Sequence, residues 1–125
     1  MKKIYLFSLE GIVYAIKEDG QNESSSAMYG FTQRPTDIQE KYLIEKFQEL
    51  TEKFKIEYIV INVSSEVDKE ELAFAIKKLI DYEKINRPDS GDVEYWERAL
   101  VRIKYSSFDI YNKNILQKII SKSPV

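Results

Sequence analysis

The chain has 125 residues, of which 43% are hydrophobic and 32% charged; its net charge is −2, and it contains neither histidine nor cysteine. These proportions are typical of a globular protein and exclude disordered, fibrous and disulfide-rich chains. The two missing residue types remove the usual proton-transfer group near neutral pH, the thiolate nucleophile and the preferred ligands of zinc, copper and iron–sulfur centres.

The length predicts one domain that spans residues 1–125. Met1–Lys3 begin like a signal peptide, but Glu10 and Gly11 interrupt the apolar run that follows too early for a signal core. No stretch approaches the roughly 20 apolar residues that a membrane helix needs. We therefore expect a cytoplasmic protein that does not bind membranes.

The first third of the chain predicts two strands, a long loop and a helix. Ile4–Ser8 and Ile12–Lys17 are rich in β-branched and aromatic residues and predict a pair of strands, consistent with a hairpin. The polar segment 20–35 predicts a loop. Thr36 then fits the N-cap of a helix with Gln39 as its capping-box partner. The apolar residues of this helix recur at helical spacing, which predicts one buried face: Leu43, Phe47, Leu50 and Phe54.

The middle of the chain predicts an interior strand and a second helix. Ile56–Val63 is apolar on both faces at its centre, as in a strand covered on both sides. Asp68 fits the next N-cap, with Glu71 as capping-box partner and Val67 and Leu72 as a hydrophobic staple. The predicted core stripe of this helix consists of Leu72, Ile76, Leu79 and Ile80.

The last third is ambiguous after the turn-forming segment 86–92. Two periodicities overlap there: Val93, Trp96, Leu100 and Ile103 recur at helical spacing, whereas Ala99, Val101, Ile103 and Tyr105 alternate as in a strand. We favour a strand over 99–105. A final helix is predicted around Ile115, Leu116, Ile119 and Ile120.

This order of elements predicts an α/β or α+β fold. The expected architecture is a single-domain sandwich in which about three helices cover a sheet of about four strands.

Two groups of residues are candidates for binding a partner. Large apolar residues and an arginine follow a serine-rich stretch and suit an interface centre: Met28, Tyr29, Phe31 and Arg34. Acidic residues on one face of the first predicted helix suit steering toward a basic protein: Glu45, Glu49 and Glu52. A core-filling loop and a solvated helix face are the alternative interpretations of these two groups.

A third group is basic and is an alternative site for an anion or nucleic acid. Residues 98–125 carry a net charge of +5, and the preceding 97 residues carry −7. The candidate residues are Arg98, Arg102, Lys104, Lys113 and Lys118. No glycine-rich phosphate loop accompanies them.

Elimination favours a protein that binds and blocks another protein, of the type of immunity proteins, antitoxins or phage inhibitors. The partner would be another protein, such as a basic toxin or nuclease. Because no catalytic motif is recognisable, we expect no catalytic residue, metal or cofactor. Two alternatives stay open: a nucleic-acid binder that uses the basic region, and a small carboxylate, lysine or tyrosine enzyme with its site at Ser64–Glu66, after the central strand.

Overall fold

The computed structural model describes residues 1–9, 12–24, 37–105 and 117–118. Seven strands and helices follow one another in this part of the chain: β1 (Lys2–Leu9), β2 (Ile12–Lys17), β3 (Asn22–Ser24), α1 (Asp37–Phe54), β4 (Tyr58–Asn62), α2 (Glu66–Asn86) and α3 (Asp92–Tyr105).

The described strands form one mixed sheet in the order β3-β2-β1-β4. β1 and β2 pair antiparallel with Leu9 opposite Ile12, as a hairpin requires. β1 also pairs in parallel with β4, so the chain crosses the sheet through α1 before it enters β4. β1 and β2 are therefore the interior strands.

Alternation along the interior strands builds a core on each face of the sheet. Ile4 and Leu6 of β1 point to the face that α1 covers, where Phe47 is fully buried. Tyr5 and Phe7 point to the opposite face, which α2 and α3 cover. The fold is thus of the α+β class, with helices on both faces of a sheet, as the sequence predicts at this coarse level.

Several predicted elements are confirmed. The first two strands, the first two helices and the strand near Ile56–Val63 are present. The predicted stripes of α1 and α2 are buried or half-buried against the two cores.

The third predicted strand, β4, has helices against both faces but only one strand neighbour in the described sheet. β4 lies at the edge of the described sheet, and Ile59 is exposed. The strand is apolar because helices cover both of its faces: Val60 packs on the α1 side and Ile61 on the α2 side.

The predicted strand over 99–105 is wrong, because this segment belongs to α3. Ile103 is buried at 1% exposure, whereas Val101 is 58% exposed. Trp96, Ala99 and Ile103 share the buried stripe, which has helical spacing. The fourth strand is instead β3, a three-residue segment within the stretch 20–35 that the sequence predicts as a loop. The predicted last helix lies outside the described residues, except for two helical residues at 117–118.

The start of α2 differs from the predicted capping. Ser65 is the N-cap, and its Oγ accepts a hydrogen bond from the Asp68 backbone N–H at 3.1 Å. The Asp68 carboxylate in turn accepts from the backbone N–H of Ser64 at 3.2 Å. Asp68 is therefore not the N-cap but the third residue of the helix, where it takes part in capping. Val67 is exposed, so it forms no hydrophobic staple.

The turn between β2 and β3 packs closely against α2 at Gly20. This glycine has φ +89°, and a Cβ there would lie 2.7 Å from the Leu79 backbone nitrogen. Only glycine combines this dihedral with this approach. The contact fixes the turn against α2 and, with it, the shape of the surface on either side.

Candidate functional site

Two clefts open on the face of the sheet that carries α2 and α3. They lie on either side of the turn between β2 and β3: Glu18 and Asp19 line one cleft, and Gly20 and Gln21 line the other. We call them the acidic cleft and the aromatic cleft.

The acidic cleft has a volume of about 470 Å³ and is rich in carboxylates. β1 contributes one side chain, the turn after β2 contributes two, and α2 contributes the rest. The lining residues are Tyr5, Glu18, Asp19, Glu70, Glu71, Phe74 and Lys78.

Only some of these carboxylates are neutralised. Lys2 Nζ lies 3.7 Å from Asp19 Oδ2, and Lys3 Nζ lies 3.6 Å from Glu71 Oε2. Neither Glu18 nor Glu70 forms an ion pair with any described residue. Four carboxylates and one cation, Lys78, line the cleft, so the formal charge of its lining is negative.

Tyr5 lies beside one of these carboxylates. Its hydroxyl donates a hydrogen bond to Glu71 Oε2 at 3.1 Å. Burial, followed by this hydrogen bond and the charges of Glu71 and Glu18, raises the pKa of Tyr5 from 10.0 to about 12. The Tyr5 hydroxyl therefore stays protonated, and able to donate to Glu71, to a higher pH than an ordinary tyrosine.

An aromatic ring lies exposed beside the carboxylates. Phe74 is 62% exposed, and Lys78 Nζ lies 5.0 Å from its ring centroid. Val67 and Ile85 are also exposed, and their spacing of seven and eleven residues from Phe74 places all three on the outer face of α2. Apolar and acidic groups thus share one surface.

The aromatic cleft has a volume of about 600 Å³ and lies below the C-terminal half of α2. Four aromatic side chains, two carboxylates and one arginine line it, together with apolar and polar residues from β2, α2 and the turn after β2. The aromatic and charged residues are Tyr14, Tyr82, Glu83, Arg87, Asp92, Tyr95 and Trp96.

The rings at the base of this cleft are held by contacts with one another. The Tyr14 and Tyr95 hydroxyls are 2.6 Å apart, and the Trp96 ring packs edge-on against both, with centroids 5.0 Å and 5.2 Å away. Burial, and then the hydrogen bond to Tyr95, raises the pKa of Tyr14 well above its usual range. Tyr14 is therefore a neutral hydroxyl with its partner already supplied.

Glu83 is the unusual group of the cleft. Its side chain is only 10% exposed, and its Oε2 atom has no hydrogen-bond partner among the described residues. Arg87 Nε lies 3.8 Å away, beyond hydrogen-bonding distance, while Arg87 Nη2 lies 3.3 Å from Asp92 Oδ2. The Arg87 guanidinium thus forms an ion pair with both carboxylates but donates no hydrogen bond to Glu83 Oε2.

The predicted partner-binding residues fall into two sets. Met28, Tyr29, Phe31 and Arg34 lie outside the described residues. Glu45, Glu49 and Glu52 are exposed on α1, on the opposite side of the sheet from both clefts. Lys46 pairs with Glu49 at 3.2 Å, and Lys55 pairs with Glu52, so two of the three carboxylates are already engaged.

The predicted basic residues do not share one face. Arg98 and Arg102 are one turn apart on α3 and both line a smaller cleft of about 350 Å³. Arg98 lies 3.8 Å from Glu94. Lys104 is exposed roughly on the other side of the helix, Lys118 is exposed in the two-residue helical segment, and Lys113 lies outside the described residues.

The predicted enzyme site at Ser64–Glu66 coincides with the cap of α2. Ser65 Oγ is occupied by the Asp68 N–H, and the Ser64 backbone N–H is occupied by the Asp68 carboxylate. The groups expected to act on a substrate therefore serve to start the helix. Within the described residues, no group of three or more acidic side chains is arranged to hold a metal ion.

Sequence reasoning missed both clefts, although parts of each carried a signal. The crowding of Glu70 and Glu71 near a helix start is visible in the sequence, but it has an ordinary explanation in the helix dipole. Glu83 has a sharper signal: it follows Ile76 and Leu79 by seven and four residues, so a carboxylate occupies a core position of an amphipathic helix.

No described helix combines the length and apolar character that crossing a bilayer requires. Comparison with known proteins finds no matching family model, no similar curated protein and no similar solved structure. Functional inference for this chain rests on the chemistry of its own surface.

Proposed function

We propose that this protein is a stoichiometric binding module that blocks a basic protein, such as a toxin or nuclease, by covering part of its surface. The observation that carries the proposal is the acidic cleft, in which four carboxylates surround an exposed phenylalanine. A cation from a partner would find charge, concavity and an aromatic face in one place.

Charge complementarity supports a basic partner. Neither Glu18 nor Glu70 forms an ion pair among the described residues, so both carboxylates can pair with a lysine or arginine of the partner, which would share the cleft with Lys78, whose Nζ lies 3.4 Å from the Glu18 backbone carbonyl oxygen. Complementary charges of this kind mainly accelerate association and select the partner.

The apolar side chains of α2 support a contact that excludes water. Phe74 lies at the cleft, and Val67 and Ile85 extend the apolar surface in both directions along the helix. Lys78 Nζ lies 5.0 Å from the Phe74 ring centroid, so a cation of the partner would contact the other ring face or replace Lys78. Aromatic anchors beside charged groups are typical of residues that dominate binding energy.

The acidic face of α1 is the weaker candidate for the same role. Glu49 and Glu52 are engaged by neighbouring lysines, and no large hydrophobic residue of α1 between 41 and 54 is exposed. This pattern is typical of a solvated helix face. The loop residues Met28 to Arg34 and the cytoplasmic location stay predictions from the sequence.

The two acidic surfaces can be separated by charge reversal. One variant combines Glu18→Lys, Glu70→Lys and Phe74→Ala, and the matched control combines Glu45→Lys and Glu49→Lys on α1. Wild type and both variants are immobilised and exposed to extract of the source cells, and retained proteins are quantified by mass spectrometry.

The expected result is one basic protein, recovered at a fixed molar ratio by wild type and by the α1 variant but not by the cleft variant. Its association rate should fall steeply as salt increases, because steering is screened. The proposal fails if nothing is retained at a fixed ratio or if the cleft variant retains the same protein. Loss through the α1 variant alone would assign the role to α1.

A further inference from the structure

A buried carboxylate without a full partner is the starting point in the aromatic cleft. Glu83 lies on the core side of α2, its side chain is nine-tenths buried, and Oε2 has no hydrogen-bond partner among the described residues. Burying a charge costs free energy unless a counter-charge or hydrogen bonds compensate it. Glu83 lines a cavity of about 600 Å³, and because Oε2 itself has almost no exposed surface, a ligand in the cavity satisfies it only when the Glu83 side chain turns toward the opening.

The walls of the cleft suit a cation with an apolar body. Tyr14, Tyr95 and Trp96 form the base, and Tyr82, which is 56% exposed, stands at the opening. Aromatic faces attract ammonium and guanidinium groups, and carboxylates beside them strengthen the attraction. Arg87 lies 3.8 Å from Glu83 Oε2 and 3.3 Å from Asp92 Oδ2, so one guanidinium is shared by two carboxylates and leaves one negative charge for a ligand cation.

The remaining charge decides against an anion. Two carboxylates and one guanidinium leave the lining negative, and Arg87 is directed toward both carboxylates. The hydroxyls of Tyr14 and Tyr95 are paired with each other. An anionic ligand would therefore meet Glu83 and Asp92 without a free cation to bind it.

We propose that the aromatic cleft binds an organic cation, specifically a primary ammonium group on a slim apolar chain, with Glu83 as its counter-charge. A free alkyl amine and a lysine side chain share this chemistry. The proposal does not depend on the function proposed above, because the acidic cleft contributes no residue to it.

The cleft contains its own optical probe. Trp96 is the only tryptophan of the chain and lines the cleft, so its fluorescence reports on occupancy. Butylammonium chloride is titrated at constant total ionic strength, with butanol and sodium butyrate as neutral and anionic counterparts. We expect a saturable change with butylammonium only, in the millimolar range for so small a ligand.

Variants identify the counter-charge. Glu83→Gln keeps the size of the side chain and removes its charge; we expect affinity for butylammonium to fall about tenfold or more, while the unfolding midpoint in urea stays equal or rises. Glu70→Gln removes a carboxylate from the other cleft and should bind like wild type. Tyr82→Ala alters only the exposed opening and should also weaken binding, which provides a second test if Glu83→Gln does not fold.

The comparison of butylammonium with the peptide acetyl-Gly-Lys-Gly-amide distinguishes a free amine from a lysine side chain as the source of the ammonium. Tighter binding of the peptide indicates a protein ligand, and tighter binding of the amine indicates a small metabolite. The proposal is overturned if no saturable fluorescence change occurs, if butanol or butyrate binds as well as butylammonium, or if Glu83→Gln binds with unchanged affinity. The two clefts share no lining residue, so absence of amine binding in the aromatic cleft would not contradict the proposed binding of a basic protein at the acidic cleft.

Discussion

Replacing Gly20 by alanine tests the contact that shapes both clefts. Gly20 has φ +89°, and an added Cβ would lie 2.7 Å from the Leu79 backbone nitrogen and 2.7 Å from Lys78 Cβ. Neither neighbour is the free end of a flexible side chain. The turn or the helix must therefore move, and with it the residues that line the clefts on either side.

The magnitude follows from two separate costs. An alanine at this positive φ costs about 1–2 kcal/mol, and forcing an extra methyl group into a packed contact costs about 1–3 kcal/mol more. Gly91 supplies a matched control, because it has φ +82° but no atom within 4 Å of an added Cβ. Gly91→Ala should show only the first cost.

The measurement is urea unfolding of wild type and both variants, followed by Trp96 fluorescence and far-UV circular dichroism. The effect of alanine on the unfolded chain is similar for both variants, so the difference between them isolates the close contact. We expect Gly20→Ala to lower the free energy of unfolding by about 1–3 kcal/mol more than Gly91→Ala. Equal losses would refute the close packing of the turn against α2.

Three further changes test the helices and the acidic cleft. Ile103→Ala should lower the free energy of unfolding by about 2–5 kcal/mol, because Ile103 is buried in the core. Val101→Ala should change it by no more than about 0.5 kcal/mol, because Val101 is exposed. Similar losses for the two variants in a denaturant titration would favour a strand over 99–105 instead of the helix. Ser65→Ala should lower the free energy of unfolding by about 1 kcal/mol, because it removes the N-cap hydrogen bond. Ser64→Ala should lower it much less, because the backbone N–H of residue 64 still donates to Asp68. A larger loss for Ser64→Ala than for Ser65→Ala in thermal unfolding would contradict Ser65 as the N-cap. Because the pKa of Tyr5 is higher in the folded chain than the ordinary 10.0, the folded state binds more protons, and its contribution to stability, complete below pH 10, is lost between pH 10 and about 12. Tyr5→Phe should therefore show a smaller loss of stability across that range in urea titrations, and an unchanged pH dependence would contradict the raised pKa that burial and the hydrogen bond to Glu71 give Tyr5.

Local pattern was sufficient where one periodicity dominates. Ile4–Ser8 and Ile12–Lys17 are rich in β-branched and aromatic residues that suit strands, and the apolar residues of α1 from Leu43 to Phe54 recur at helical spacing on one buried face. The hairpin and the first two helices are therefore visible before any tertiary contact is known.

The segment 99–105 shows where local pattern was insufficient. Ala99 and Ile103 fit both a strand and a helix, and the exposure of Val101 and Tyr105 distinguishes the two only after folding. The burial of Trp96 against Tyr14 decides for the helix, because Trp96, Ala99 and Ile103 together form a buried stripe with helical spacing. Tertiary packing of this kind overrides short-range propensity.

The same limit applies to the position of β4. An apolar run such as Ile56–Val63 predicts that the strand is buried on its two faces. It does not reveal whether the strand also pairs with a neighbouring strand on each of its two edges. In the described sheet, β4 pairs with β1 alone. Strand order depends on the crossover through α1, which no single segment encodes.

The sequence by itself determined the class of the fold and the exclusion of histidine and cysteine chemistry, because these follow from composition and from periodicities within single elements. Only the tertiary structure decided the clefts. Tyr5, Glu18 and Glu71 meet because α2 packs on one face of the β1–β2 hairpin, and Tyr14, Glu83 and Tyr95 meet because α3 packs beside α2 on the same face. A binding surface is a property of distances between elements, and those distances arise only when the two cores have formed.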